Sequence, residues 1–135
     1  MVIVDSSVLI DYLSDRSTPQ TSWLEQHCSG SQVGITTLIL TEVLQGIRRE
    51  NQFVETLGVL GQFTIFDVGS SELAIASARN YRALRERGVT IRNTIDCLTA
   101  TFCISEGHEL LHNDRDFGHF VEHLHLDVVR PDAMN

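Results

Sequence analysis

Five carboxylates stand in this sequence where they could act together on one substrate. Asp5 ends an apolar, β-branched run, and Asp114 follows a second strand-like run, with Asp116 two residues further on. Glu42 and Asp96 each lie in a segment with a helical apolar pattern. Because the carboxyl ends of parallel strands meet at one edge of a sheet, we expect these acids to converge there. Carboxylate oxygens are the ligands that Mg²⁺ and Mn²⁺ prefer, so the acids predict a divalent-cation site.

Such a site is suited to the hydrolysis of a phosphodiester. One bound metal ion lowers the pKa of a coordinated water, and a second ion stabilises the leaving oxygen and the charge that develops on phosphorus. Carboxylates that are crowded together without a cation repel one another and take up protons. Metal binding is therefore expected to relieve this repulsion and to stabilise the folded chain.

The elements that must position these acids alternate between strand-like and helix-like patterns. The predicted strands cover residues 2–4, 33–35, 63–68, 109–112 and 126–129. The predicted helices follow possible N-caps at Ser6 or Ser7, Thr36 or Thr37, Ser70 or Ser71, and Thr94. Further helices are predicted around Trp23 and Leu24, over 52–60 and over 117–124. The predicted helix ends lie at Gly30, Arg49, Gly88 and Gly107. This alternation is typical of an α/β fold with a mainly parallel central sheet.

Length and composition favour one small soluble domain over residues 1–135. Cys28, Cys97 and Cys103 include no CxxC pair, which argues against a disulfide framework and against a zinc ribbon. The N-terminus lacks the basic region of a signal peptide, and no apolar run approaches the roughly 20 residues that span a bilayer. We therefore expect the chain to act in the cytoplasm, without membrane contact.

The charge of the chain narrows the function classes further. The formal net charge is −8 at pH 7, and all ten basic residues are arginines. This acidity argues against binding nucleic acid by bulk electrostatics, although acids gathered around cations contribute to the total. The lack of lysine argues against P-loop proteins, haloacid-dehalogenase-like phosphatases and receiver modules, which use one. Arg79, Arg82 and Arg85 recur along one predicted helix, with Arg87 and Arg92 nearby. They form either a solvated face or contacts to phosphate.

Three segments carry a family resemblance: IVDSSVLIDYL, TTLILTEVLQGIRR and IRNTIDCLTATFCISEGHELLHNDRDF. In this order they span nearly the whole chain, and they resemble the PIN-domain nucleases and, within them, the VapC-type toxins of bacterial toxin–antitoxin pairs. The resemblance implies a three-layer α/β sandwich with a mainly parallel central sheet flanked by helices. It also implies an Mg²⁺-dependent endoribonuclease, in which Mn²⁺ can substitute, that cleaves RNA. A VapB-type antitoxin as partner and a homodimer as core assembly are implied in the same way.

The resemblance also assigns roles residue by residue. Asp5 and Asp96 would hold the metal most directly. Glu42 and Asp114 would complete the catalytic site through water or a second ion, and Asp116 would be a further metal ligand. A PIN-fold RNA-binding or scaffold protein without nuclease activity is the alternative function. Its usual mark would be loss of these acids, and none is lost here.

Two local features leave other interpretations open. Asp116 precedes an apolar helix, so it could be an N-cap instead of a metal ligand. His119 and His123 have a spacing that could suggest zinc, but a solvated histidine face explains it more simply. Ser7 departs from the family pattern, in which an asparagine is frequent at that position.

Overall fold

The computed structural model describes residues 1–29 and 32–132, and its centre is a four-stranded sheet. The strands are β1 (Val2–Val4), β2 (Val33–Thr36), β3 (Thr64–Phe66) and β4 (Glu109–Leu111). Their order is β3-β2-β1-β4, and every neighbouring pair is parallel. Parallel neighbours need crossover connections, which helices supply here. The predicted α/β fold, with helices flanking a parallel sheet, is confirmed.

Helices occupy most of the chain between and after the strands. They are α1 (Ser6–Leu13), α2 (Pro19–His27), α3 (Thr37–Gln45), α4 (Glu50–Leu60), α5 (Ser71–Glu86), α6 (Thr94–Glu106) and α7 (Gly118–Leu124), with a 3₁₀ turn at Arg115–Phe117. Thr36 caps α3 and Ser70 caps α5, each through its side-chain oxygen, as predicted. Gly107 ends α6 with φ 71°, a left-handed conformation that favours glycine. No helix of the described residues is long and apolar enough to cross a lipid bilayer.

The strand order places a switch point between β1 and β4, at the carboxyl ends of the strands. From β1 the chain moves outward to β2 and β3, and it then returns to place β4 on the other side of β1. Val4 lies opposite Leu111 in the register, and the Asp5 N–H donates to the Leu111 carbonyl at 2.9 Å. β1 and β4 therefore end at the same level. Residues that follow these two strands lie at the switch point in strand order, where open α/β sheets bind ligands.

Burial of the central strands accounts for their continuous apolar sequence. Ile3 and Val4 point to opposite faces of the sheet, and both are fully buried. Helices must therefore cover both faces at β1, which makes the three layers of the sandwich. Leu9 of α1, Ile39 of α3 and Phe117 of the 3₁₀ turn are also fully buried and belong to the same core. Packing of this core fixes the ends of the strands relative to the helices.

Several predicted boundaries differ from the structure. The helix predicted to reach Arg49 ends at Gln45, with Gly46 as its C-cap. The strand predicted over 63–68 covers only Thr64–Phe66. The strand predicted over 126–129 makes a single parallel bridge, between Val128 and Leu110. The predicted helix end at Gly30 lies outside the described residues.

Two helices are capped by residues other than those predicted. Asp5, not Ser6 or Ser7, caps α1, and Asn93, not Thr94, caps α6. Aspartate and asparagine are as effective at this position as serine, so composition alone could not decide between neighbours. Both caps lie among the acids, so helix capping and site formation use the same residues.

Candidate active site

Asp5 is the most buried acid of the site and lies at the carboxyl end of β1. Only 2% of the residue is exposed. Its Oδ2 accepts hydrogen bonds from the Ser7 backbone N–H at 3.1 Å and from the Ser7 hydroxyl at 2.6 Å. Its Oδ1 is buried without a hydrogen-bond partner among the described residues. Burial raises the pKa of Asp5, and the hydrogen bonds from Ser7 oppose that rise. Burial therefore disfavours the ionised form of Asp5, and a positive charge beside the carboxylate would favour it.

Asp96 shows that the five predicted acids come together. It lies in the first turn of α6 and is 7% exposed. Its pKa is raised to about 7, first by burial and then by the negative charges of Asp5, Asp114, Glu42 and Asp116, in that order. Three other segments of the chain, the end of β1, α3 and the loop after β4, thus bring carboxylates close enough to influence Asp96. Without a cation, Asp96 is about half protonated near neutral pH.

Glu42 reaches this cluster from α3, which begins directly after β2. Its Oε1 accepts a hydrogen bond from the Ser6 hydroxyl at 3.2 Å. Burial raises the pKa of Glu42, the charge of Asp5 raises it further, and hydrogen bonding from Ser6 and Asn93 opposes the rise. The half-buried Glu42 is therefore held by polar neighbours on two sides while it faces the charge of Asp5.

Asp114 and Asp116 follow β4 and have different local partners. Asp114 caps the 3₁₀ turn, since its Oδ1 accepts from the Asp116 N–H at 3.0 Å. Asp116 instead places its Oδ2 at 3.5 Å from Arg92 Nη2. The interpretation of Asp116 as an N-cap is therefore wrong, because Asp114 caps the 3₁₀ turn and the N-cap of α7 is Phe117, without a side-chain hydrogen bond. Asp116 as a metal ligand stays a prediction.

Ser7 connects the two strand ends that form the site. Its hydroxyl donates to Asp5 Oδ2 and accepts the Asn113 N–H at 3.1 Å. It therefore links the end of β1 to the loop that carries Asp114. With Oδ2 engaged in this way, Oδ1 is the oxygen of Asp5 that stays free for another partner. From the sequence, Ser7 is a possible N-cap and a departure from the family pattern, but not a link between strand ends. Its position two residues after an aspartate, where a side chain can bond back to Asp, was the available signal.

Three further neighbours of the acids were not predicted as part of the site. Asn93 caps α6 and hydrogen-bonds toward Glu42, while Arg92 pairs with Asp116. His112 accepts the Asp114 N–H on Nδ1 at 3.2 Å. Burial lowers the pKa of His112, and the charges of Asp5 and Asp114 oppose this. These contacts join residues distant in sequence or depend on loop geometry, so the sequence does not indicate them. It indicates Arg92 only as an arginine near Arg79, Arg82 and Arg85.

The residues present fit a divalent cation. Asp5 offers a buried oxygen without a partner, and the surrounding carboxylates raise the pKa of Asp96. Over residues 1–29 and 32–132, no three His, Cys, Asp or Glu side chains are arranged to enclose an ion by themselves. Mg²⁺ is compatible with that arrangement, because it usually keeps several waters and binds one or two carboxylates. By the same criterion, the histidines of α7 form no zinc site within the described chain.

The arginine stripe, Arg79, Arg82 and Arg85, belongs to α5, which carries none of the five acids. Arg82 and Arg85 line a mainly apolar groove between α5 and α6, and the Arg85 guanidinium lies 5.7 Å from the Tyr81 ring centre. The groove is also lined by Cys97 and Leu98, but by none of the five acids. The structure therefore does not place this stripe directly at the carboxylate cluster.

Comparison with known proteins assigns the family. The PIN domain family model matches residues 2–122. The chain belongs to the PIN domain family. Ribonuclease VapC11 of Mycobacterium tuberculosis is 26% identical over 121 residues, which cover 87% of this chain and 89% of that protein. The resemblance to VapC-type PIN domains is confirmed.

Solved PIN-domain structures have the same fold. VapBC2 from Rickettsia felis, bound to a DNA fragment from its promoter, matches with a TM-score of 0.78 and 20% identity, covering 98% of this chain and 100% of that one. A toxin–antitoxin complex from Klebsiella pneumoniae matches with a TM-score of 0.72 and 21% identity, covering 99% and 100%. At these identities the likeness concerns the fold, and the PIN-like sandwich predicted from sequence is confirmed.

Ser7→Ala is expected to lower the free energy of unfolding by about 1 kcal/mol, because Asp5 and Asn113 each lose a hydrogen-bond partner. Ser7→Thr keeps the hydroxyl and is expected to lose less. Urea unfolding followed by circular dichroism measures the difference. Ser105→Ala, on the exposed side of α6, is the matched control. If Ser7→Ala unfolds like Ser105→Ala, Ser7 does not connect the two strand ends.

The free energy of unfolding of the metal-free protein is expected to fall as pH rises from 3.8 to about 7. The folded state holds the Asp96 proton up to a pKa of about 7, whereas the unfolded chain releases it near 3.8. Over this interval the unfolded state binds fewer protons, so stability decreases with pH. Asp96→Asn should flatten the profile, and Asp127→Asn, an exposed acid outside the cluster, should not. Urea unfolding in EDTA at several pH values measures this, and equal slopes in both variants would contradict it.

Proposed function

We propose that this PIN domain is an Mg²⁺-dependent endoribonuclease and the toxin of a type II toxin–antitoxin pair, acting in the cytoplasm. The observation that carries the proposal is the buried Asp5 carboxylate, whose Oδ1 has no hydrogen-bond partner among the described residues and which adds to the charge around Asp96. Buried charges of one sign are stable in the ionised state only when a cation compensates them. The VapC ribonuclease relatives support RNA as the substrate.

Asp5 and Asp96 would hold the ion directly, and Glu42 and Asp114 would complete the site through water. Mg²⁺ held by these residues, or Mn²⁺ in its place, would supply a water of lowered pKa and positive charge to offset the negative charge that develops on the phosphate. The chain itself keeps the ligands in place. Ser7 holds one oxygen of Asp5, and Ser6 holds one oxygen of Glu42. Side chains held in this way need little reorganisation when the substrate binds.

We also propose a VapB-type antitoxin as the partner and a homodimer as the core assembly. The Rickettsia felis and Klebsiella pneumoniae structures with this fold are toxin–antitoxin complexes. The support is similarity of the whole chain, since the matched proteins are covered almost completely.

A PIN-fold protein that binds RNA without cutting it is the second candidate. A scaffold of that kind has no need for a charge-repelling cluster and could lose its acids without cost to binding. Here all five acids are present, and four of them raise the pKa of the fifth, Asp96. The presence of five mutually repelling acids therefore favours the nuclease over the scaffold protein.

Asp5→Asn is expected to abolish metal-dependent RNA cleavage while preserving the fold, because it removes a negative ligand without a change in volume. Asparagine also keeps the cap of α1. In wild type, millimolar Mg²⁺ or Mn²⁺ should raise the melting temperature and EDTA should reverse the rise, because the ion binds only the folded state. In Asp5→Asn the metal-free melting temperature should be higher, and the rise with metal should be smaller, because repulsion is already relieved.

The measurements are gel assays on total RNA and thermal melts with and without metal, with Asp127→Asn as control. An Asp5→Asn protein that cuts at the wild-type rate would remove Asp5 from the site. A wild-type melting temperature that does not respond to metal would contradict the cation site. RNA binding without cleavage in every metal tested would favour the scaffold alternative.

The cleavage products are expected to carry a 5′-phosphate and a free 3′-hydroxyl, since attack by water needs no help from the ribose 2′-hydroxyl. A histidine-based ribonuclease would instead leave a cyclic phosphate, and the chain has six histidines but no lysine to stabilise the intermediate. The test places a single 2′-deoxynucleotide immediately 5′ of the cleaved bond in an identified substrate. Continued cleavage, with products that ligate through their 5′-phosphate, supports the carboxylate mechanism. Loss of cleavage in an RNA that still binds would overturn it.

A further inference from the structure

The loop between α5 and α6 places an arginine at the edge of the carboxylate cluster. Arg92 Nη2 lies 3.5 Å from Asp116 Oδ2, with the two side chains 79% and 27% exposed. The next residue, Asn93, caps α6, and its side chain lies close enough to Glu42 to lower the pKa of that carboxyl. Two consecutive residues of this loop thus contact acids that come from α3 and from the segment after β4. Arg92 is therefore fixed at the site by its backbone, while its guanidinium stays largely in solvent.

The charge around the site makes this arginine unusual. The chain carries a net charge of −8, and its carboxylates cluster where a polyanion would have to bind. Among the described residues, Arg92 is the only arginine with a nitrogen within 4.0 Å of one of the five acids. Arg82 and Arg85 of α5 line a groove without these acids. The guanidinium of Arg92 is therefore the positive charge that a phosphate can contact at the cluster.

The pair between Arg92 and Asp116 is weak enough to exchange. A solvent-exposed ion pair contributes about 0–1 kcal/mol. Its 3.5 Å separation is longer than the 2.7–2.9 Å that is usual for a charge-assisted hydrogen bond. A guanidinium can bind two oxygens of a phosphate at once, which a single long contact to a carboxylate does not provide. A phosphate can therefore displace Asp116 from Arg92 at little cost.

We propose that Arg92 is a phosphate-binding residue of the substrate site, held by Asp116 in the free protein and transferred to a phosphate of single-stranded RNA on binding. Asp116 is then a counter-ion that keeps the guanidinium at the site. This inference rests on the proposed function, because it takes RNA as the substrate.

The first test measures RNA affinity without cleavage. Fluorescence anisotropy of a short labelled single-stranded RNA of mixed sequence, in EDTA, gives the dissociation constant over a range of salt concentrations. Arg92→Ala is expected to weaken binding by roughly tenfold, as loss of one charged hydrogen bond implies. It should also reduce the slope of log K against log salt by about 0.7, the value for one phosphate contact on a single strand. Arg92→Lys should keep the slope and lose part of the affinity.

Arg16→Ala is the matched control. Arg16 is 73% exposed and pairs with Asp11 at 3.7 Å, so it resembles Arg92 in exposure and pairing. It follows the far end of α1, about 12 Å along the helix from Asp5. This variant should keep wild-type affinity and slope.

The second test examines Asp116 through a double-mutant cycle. Asp116→Asn should tighten RNA binding, because it removes the competitor for Arg92. The gain should shrink in the Arg92→Ala background if it acts through the guanidinium. An equal gain in both backgrounds would show only the loss of a negative charge, and would overturn the counter-ion role.

Measurements of KM, kcat and melting temperature with Mg²⁺ distinguish phosphate binding by Arg92 from a structural role of that residue. Arg92→Ala should raise KM more than it lowers kcat, and the metal-dependent rise in melting temperature should stay as in wild type. If wild type cuts RNA and Arg92→Ala matches Arg16→Ala in affinity, salt slope and KM, the role of Arg92 is refuted while the nuclease stands. If wild type neither binds nor cuts RNA, the nuclease proposal fails and the role of Arg92 fails with it.

Discussion

Repulsion between buried carboxylates at the carboxyl end of β1 is the constraint to which the rest of the structure is adapted. Asp5 is almost fully buried, and Asp96 has its pKa raised to about 7 by burial and by the charges of four other acids. An arrangement of this kind opposes folding, so the stability must come from elsewhere. The fully buried side chains of β1, α1 and the 3₁₀ turn, Ile3, Val4, Leu9 and Phe117 among them, provide it. The site therefore lowers the stability of the fold locally, and packing of the buried core offsets this loss.

The same acids also contribute to local structure, so capping and metal binding are not exclusive roles. Asp5 caps α1 and Asp114 caps the 3₁₀ turn, each through one carboxylate oxygen. A carboxylate has two oxygens, so one can hold the backbone while the other is available to a ligand. In Asp5 this division is visible, because Oδ2 binds Ser7 and Oδ1 is without a partner in the described residues. Capping orients the carboxylate before any ligand is present.

The proposed RNA substrate and this protein both carry negative charge, so the positions of the few arginines affect binding strongly. All ten basic side chains are arginines, and among the described residues only Arg92 forms an ion pair with one of the five acids. Long-range attraction of RNA by the whole surface is therefore weak. In the proposed function, recognition depends on short-range contacts at the site, which a bound cation and residues such as Arg92 would make. Identity to the compared structures is low, 20% and 21%, while the fold is the same.

The sequence by itself determined the α/β class, the parallel strands and the five acids, since these follow from apolar periodicity and from residue type at strand and helix ends. It could not choose between neighbouring caps, and it predicted Ser6, Ser7 and Thr94 where Asp5 and Asn93 act, because such residues have similar intrinsic preferences. Only the tertiary structure decided that Ser7 connects β1 to the Asn113 loop and that Asp116 pairs with Arg92. The paired residues are 106 apart in the first case and belong to separate segments in the second. Their contacts arise when the packed core brings the strand ends together, and that depends on the whole chain.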